Sequence, residues 1–275
     1  MYLKSFKEVL PLLMEYNFRN RTPFFGFGAK IPPFLVYRAS DCFSLVGNIY
    51  DPDIDSLVKI KNSYLSLIKK IKFHGPTFIS PILKLYQNMI KYDQLNQKFV
   101  LNSIKYYILA IMTDGKIDDL EETINEIVES SYLPLSLIII GLGEDPFAYL
   151  KPILGSSKLY SKSKNLVQDR NNIIFVQNKL GIDENVIRTR ALKNIPAQIE
   201  TYMAKHKIKP QMINLNKKSK GMYKSFFQDL KDQMKLSLMK LNLYNPSHVI
   251  LNQIDELLKI GIAENQIEFA KKILS

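Results

Sequence analysis

Two runs in this chain, Tyr106–Met112 and Leu135–Ile140, are apolar at almost every position, and an amphipathic stretch separates them. A strand with one wet face alternates polar and apolar residues. A run that is apolar throughout is what a parallel strand shows when helices cover both faces of its sheet. Between the two runs, Leu120, Ile124, Ile127 and Val128 recur at helical spacing behind the acids Asp118, Asp119, Glu121 and Glu122, which suit the positive end of a helix dipole. Strand, helix and parallel strand in that order place the chain in the α/β class. Both strands are expected at the centre of the sheet.

The same alternation extends along the chain. Phe24–Phe27, Cys42–Val46 and Ile173–Val176 are further strand candidates, with Gly141 and Gly143 ending the Leu135–Ile140 strand and the Asn171, Asn172 turn preceding the last. Helical stripes are formed by Leu57, Ile60, Tyr64, Leu67, Ile68 and Ile71, by Ile82, Leu85, Tyr86, Met89 and Ile90 behind Pro81, and by Leu192, Ile195, Ile199, Tyr202 and Met203. The N-terminal stretch, with Lys4, Lys7 and Glu8 among apolar residues, reads as an amphipathic helix, and Pro11 should mark its start or a bend. The expectation is a doubly wound, mostly parallel sheet flanked by helices over residues 1–210. A Lys-rich linker, Asn214–Lys220, then leads into a helical extension over 211–275.

Composition removes several function classes. Of 275 residues 46% are apolar, which supports an ordinary core and excludes a disordered chain. The longest nearly uncharged runs fall short of the roughly 18–20 residues that cross a bilayer, and the charged N-terminal stretch is no signal peptide. An intracellular, cytoplasmic protein is expected. The single Cys42 forms neither a disulfide within the chain nor a zinc cage. The net charge of +12 is spread along the chain, 10 basic against 6 acidic residues falling in 211–275, so nucleic acid is not an expected partner and an anionic membrane is a weak one.

Ligands of an open parallel sheet collect outside the carboxyl ends of its strands. Asp114, in Met112-Thr113-Asp114-Gly115, directly follows the first apolar run, and His74-Gly75-Pro76-Thr77 precedes a helix and offers a hydroxyl. Carboxylate and hydroxyl oxygens suit a hard cation such as Mg²⁺.

Four separated motifs, Phe24-Phe25-Gly26-Phe27-Gly28-Ala29-Lys30-Ile31-Pro32-Pro33, then His74-Gly75-Pro76-Thr77 with Ser80-Pro81, then Met112-Thr113-Asp114-Gly115, and finally Ala204-Lys205-His206-Lys207-Ile208-Lys209-Pro210, resemble the copine domain in order and spacing. That domain is a variant of the von Willebrand factor A fold. The resemblance implies a metal-ion-dependent adhesion site, in which Thr77 and Asp114 match the second and third ligand loops. Its first loop, Asp-x-Ser-x-Ser, occurs nowhere in the chain, and the sequence begins at what looks like the first helix. Two ligands would leave Mg²⁺ mostly hydrated and weakly held. The fold's central strand would be missing as well, so that its neighbours pair directly, another chain donates a strand, or the sequence is an incomplete version of a longer protein. Incompleteness is the reading favoured. The calcium-dependent lipid-binding modules typical of the family are not in this sequence, so the expected role is non-enzymatic, with a partner protein docking at the loops of Thr77 and Asp114. The alternative is the substrate-holding part of a ubiquitin-ligase system, by resemblance to plant copine-domain RING ligases.

Other chemistry is not visible. Ser80 and Ser136 lack a nucleophile elbow, Gly26-Phe27-Gly28 lacks the third glycine of a dinucleotide loop, and His206 and His248 fall in helical or pre-helical contexts that offer no hydrolase constellation. His74 reads as a loop hydrogen-bonder and Cys42 as a residue buried in a strand. Ile254–Ile262 weakly resembles the first helix and turn of a ubiquitin-associated module, and an amphipathic hairpin explains it equally well.

Overall fold

The computed structural model describes residues 2–15, 17, 21–32, 39–98, 105–155, 158–179, 184–209, 228, 229 and 232. The chain falls into two compact units, Met1–Asn20 with Tyr86–Asn216 and Arg21–Leu85 with Lys217–Ser275. In chain order come α1 (Tyr2–Glu15), the short strands β1 (Thr22–Pro23), β2 (Phe25–Gly26), β3 (Ala29–Lys30), β4 (Phe43–Ser44) and β5 (Asp53–Ile54), then α2 (Leu57–Ile68), β6 (Lys72–Phe73) and α3 (Ser80–Lys98). After these come β7 (Tyr107–Thr113), α4 (Leu120–Ser130), β8 (Leu135–Leu142), a 3₁₀ turn (Ala148–Leu150) and α5 (Lys151–Leu154). The last are β9 (Tyr160–Ser161), β10 (Leu166–Val167), β11 (Ile173–Asn178), α6 (Glu184–Leu192) and α7 (Ile195–Lys205).

The first unit is built on a parallel sheet in the order β11-β8-β7, with Leu137 level with both Ile173 and Leu109. All eight residues of β8 are buried, as its unbroken apolar run predicts. Only β8 is central among the described residues. Among the described residues β7, expected beside it at the centre, is an outer strand, and its burial alternates through Leu109, Ile111 and Thr113, so one of its faces is better covered than the other. One face packs Ile138, Ile140, Ile174 and Val176 against Val9 of α1 and Ile187 of α6. Each such side chain contributes about 1.5–3 kcal/mol on burial.

Helix α1 begins at Tyr2 and runs through Pro11, so the proline does not start the helix. Pro11 is exposed, which leaves water free to reach the Lys7 carbonyl that lacks its N–H partner. Glu8 is buried but accepts from the Asn178 amide at 2.6 Å, which ties α1 to the end of β11. The stripe from Leu192 to Met203 is two helices. Lys193 and Asn194 break it, and Pro196 sits in the first turn of α7, where a missing N–H costs nothing.

In the second unit the two early strand candidates do not join a parallel sheet. β2 and β4, two residues each, pair antiparallel with one another, Phe25 with Ser44 and Gly26 with Phe43. Gly28, at φ 72, takes the chain out of the extended region just after β2, and a turn closed by Gly47 N–H donating to the Ser44 carbonyl at 3.1 Å follows β4. β1 with β5 and β3 with β6 are likewise antiparallel pairs. Cys42, Phe43, Ile49, Ile54, Ile60 and Leu83 are buried here; Cys42 stands just before β4 and not within it. Ser56 caps α2 by accepting from Lys59 N–H at 3.3 Å. The stripe expected on α2 is only partly covered, with Ile60 buried and Leu57 exposed.

The helical extension over 211–275, with His248 and Ile254–Ile262, lies outside the described residues apart from Gln228, Asp229 and Asp232, which are helical. Among the described residues no helix is long and apolar enough to cross a membrane.

Candidate functional site

At the carboxyl ends of the first unit's strands, the loops are fixed by their own hydrogen bonds. Thr113, the last residue of β7, is buried; its hydroxyl donates to the Gly115 carbonyl at 3.2 Å and accepts from Gly115 N–H at 3.4 Å. This tight turn leaves Asp114 exposed beyond the strand. The Gly115 carbonyl also accepts from the Tyr149 hydroxyl, reaching over from the segment after β8. In that segment Asp145 accepts from Phe147 N–H at 2.6 Å, while the Gln177 side-chain amide donates to the carbonyls of Gly143 at 2.9 Å and Asp145 at 2.6 Å.

Beneath the loops is an aromatic floor. The Phe147 ring is buried and lies near the rings of Tyr149 and Phe175, at 5.8 and 5.7 Å between centroids. It fills the space over Gly141, where a methyl group would lie 2.7 Å from two ring carbons, so the position has room only for glycine. Burial pushes the Tyr149 phenol up to about 12, and the negative charges of Asp145 and Asp114 add to this. Tyr149 is therefore a neutral donor at every physiological pH. The exposed acids Asp114, Glu144 and Asp145 stand in this rim, with Lys179 3.9 Å from Glu144 and Lys116 3.7 Å from Asp118.

Thr77 belongs to the second unit. It is half-buried in the segment between β6 and α3, where His74 N–H donates to the Gly28 carbonyl at 3.2 Å. His74 is thus a loop hydrogen-bonder through its backbone, and its side chain is exposed. Thr77 and Asp114 stand in different units, each held by its own loop. Among the described residues no three His, Cys, Asp or Glu side chains are grouped to hold a metal ion. This donor set does not fit an all-protein Mg²⁺ cage.

Two other polar clusters are structural. Ser136 is buried and donates to Gln198 at 2.5 Å, with the Tyr106 hydroxyl 2.8 Å away. Arg170, 5% exposed, donates to the carbonyls of Leu133 and Leu135 at 2.7 and 2.8 Å and lies over the rings of Tyr106 and Tyr202. It satisfies carbonyls at the entry to β8. The His206 ring lies against Tyr202, tilted by 33° with 4.3 Å between centroids.

The sequence model of the copine family matches residues 1–211, well over half of the chain. This chain belongs to the copine family. Two copine-domain relatives from Arabidopsis thaliana are Protein BONZAI 2, 33% identical over 212 residues, and Protein BONZAI 1, 34% identical over 213. Each match covers 76% of this chain and 35% of the relative, so the copine chain spans about a third of these proteins' length. The copine motifs at Gly26, Thr77 and Asp114 all fall inside the matched range. Tyr149, Gln177 and Phe147, which hold the Asp114 rim, belong to none of the four motifs. The only pointer to them in the sequence is Gly143-Glu144-Asp145-Pro146-Phe147, a turn-rich stretch directly after the most apolar strand.

Proposed function

We propose that this copine domain is a non-enzymatic protein-binding module working inside the cell, and that its partner contacts the loop of Asp114 and the loop of Thr77. The observation that carries the reading is the exposed Asp114 carboxylate on a turn held by the Thr113 and Tyr149 hydroxyls at the carboxyl end of β7. A carboxylate on a rigid turn is preorganised for recognition, because little conformational freedom is lost when a partner docks. A Mg²⁺ ion at Asp114 would be weakly held and largely hydrated, so the contact is proposed to rest on the two loops themselves.

Affinity capture with the full chain, wild type against Asp114→Ala and Thr77→Ala, with and without Mg²⁺, tests this. A defined set of proteins should be recovered by the wild type with or without Mg²⁺ and fall several-fold with either variant. Recovery of the same proteins in the same amounts by all three chains contradicts the proposal.

A further inference from the structure

The hairpin of β9 and β10, in the first unit, has the polarity of its two faces reversed. Its register sets Ser161 opposite Leu166 and Tyr160 opposite Val167. Residues directly opposite in such a pair share one face, with Cβ atoms about 4.5–5.5 Å apart. The inward face carries a polar residue: Ser161 is buried and donates to the Asn125 side chain of α4 at 2.7 Å. The outward face carries the apolar pair, with Tyr160 48% and Val167 49% exposed. Tyr132, just after α4, is 40% exposed and donates to the Val167 carbonyl at 2.8 Å, which brings a second ring beside the pair.

Folding alone accounts for the two hydroxyls. Tyr160 donates to the Asn165 side chain at 2.6 Å across the turn, and Tyr132 fastens β10. It does not account for Val167, which gains nothing from facing water where a threonine would suit the strand as well. The face is also held still, since Lys164 N–H donates to the Ser161 hydroxyl at 3.2 Å and Asp169 N–H to the Ser131 hydroxyl at 2.8 Å. Little ordering is left for a partner to impose.

The charge around this face has one sign. Over residues 146–168 the chain carries Lys151, Lys158, Lys162 and Lys164 and no Asp or Glu. The acids beside the hairpin are already engaged: Glu126 and Glu129 with Lys164, and Asp169 with Lys205. Lys162 is exposed and in no ion pair among the described residues, and the exposed Lys158 reaches the Asp169 carbonyl at 3.4 Å but no carboxylate.

We propose that the outward face of this hairpin, Tyr132, Tyr160 and Val167 with Lys158 and Lys162, binds an acidic protein segment. The segment lays an aliphatic or aromatic side chain on the Tyr160 and Val167 pair and sets carboxylates against the two lysines. An aromatic centre with charge at its rim is the anatomy of a protein–protein contact. Two uncompensated lysines are few for a nucleic acid, whose affinity is built on many phosphate contacts, and Val167 offers no flat ring on which a base could stack. This contact goes beyond the one proposed for Asp114 and Thr77 and stands on other residues.

The test is selection of a displayed library of random linear peptides on the immobilised full chain, followed by titration of the enriched peptides by fluorescence anisotropy. One enriched class should carry Asp or Glu on both sides of an aliphatic or aromatic residue and bind more weakly as salt rises. Tyr160→Thr, and Val167→Thr, which keeps the β-branched shape, should each weaken that class about tenfold. Lys158→Gln with Lys162→Gln should weaken it several-fold and flatten its salt dependence, while Asp114→Ala should bind it as the wild type does. No such class among the enriched peptides, or equal binding by the hairpin variants and the wild type, would overturn the proposal. A dimer, seen by sedimentation, that Val167→Thr abolishes would give the face to a second copy of the chain and overturn it too. All substituted positions are exposed, and an unchanged circular dichroism spectrum separates lost binding from lost folding.

Discussion

The Tyr149 hydroxyl donates to the carbonyl of Gly115, tying the segment after β8 to the turn after β7 that carries Asp114. Tyr149 is half-buried between Phe147 and the loop, so the bond is made where water competes poorly. Tyr149→Phe keeps the ring and removes the donor. A net hydrogen bond of about 1 kcal/mol is roughly a fivefold change in an opening equilibrium. Amides of Gly115–Asp118 should exchange about that much faster in Tyr149→Phe by hydrogen–deuterium exchange, with β8 amides unchanged. An unaltered loop would show that Thr113 alone holds the turn.

Gly141 lies under Phe147, with no room for a methyl group. Gly141→Ala should destabilise the domain by about 1–3 kcal/mol through overpacking, read as a lower urea midpoint. In that background Phe147→Leu should recover part of the loss, because the smaller side chain vacates the space. If the double variant is no more stable than Gly141→Ala, the contact is not the cause.

Cys42 is a buried thiol that burial, with the charge of Asp41 adding, pushes up from its ordinary value. It should therefore be protonated across the physiological range. Native protein should not react with a disulfide exchange reagent at neutral or mildly alkaline pH, and one thiol should appear on denaturation. Rapid reaction of native protein would contradict the burial.

Lys164 donates to Glu126 at 2.9 Å and to Glu129, which also accepts from Lys91 at 2.5 Å. Burial pulls the Glu129 carboxyl up, but hydrogen bonds from Lys164 and Lys91 outweigh it and hold the group below its ordinary value. Burial pulls Lys164 down, but Glu129 and Glu126 outweigh it and raise the ammonium. The Glu129 contribution to stability is present above the unfolded carboxyl value of about 4.3 and is lost as pH falls through the lower folded value. The Lys164 contribution is present below the unfolded value of about 10.4 and is lost as pH rises through the higher folded value. Lys164→Met should flatten both limbs of the urea midpoint against pH. Unchanged limbs would mean that the cluster contributes nothing measurable, as many surface pairs do.

What the sequence disclosed depended on length and period. β8 and the helix α4 were legible, because an unbroken apolar run and a stripe behind an acidic start each have one structural meaning. The position of β7 was not. Tyr107–Thr113 is nearly as apolar as β8, and periodicity says that a strand can be covered on both faces, not how many strands pair with it. The two-residue strands β1 to β6 are too short to carry a period, so Phe24–Phe27 and Cys42–Val46 looked like members of a sheet that they do not join. The Asp114 turn was visible as Met-Thr-Asp-Gly. Tyr149 reaches Gly115 across 34 positions of sequence and Gln177 reaches Asp145 across 32, separations that no local pattern encodes. The pairing of β3 with β6 was hidden for the same reason, since register is set by backbone hydrogen bonds between remote segments.

Hydrogen–deuterium exchange on the full chain, alone and with the protein recovered by affinity capture, tests the protein-binding account most directly. Docking as proposed predicts slower exchange in Asp114–Asp119 and in His74–Phe78, with the β9 to β10 hairpin unchanged. Protection confined to that hairpin or to α7, with both loops exchanging as in the free chain, would contradict it.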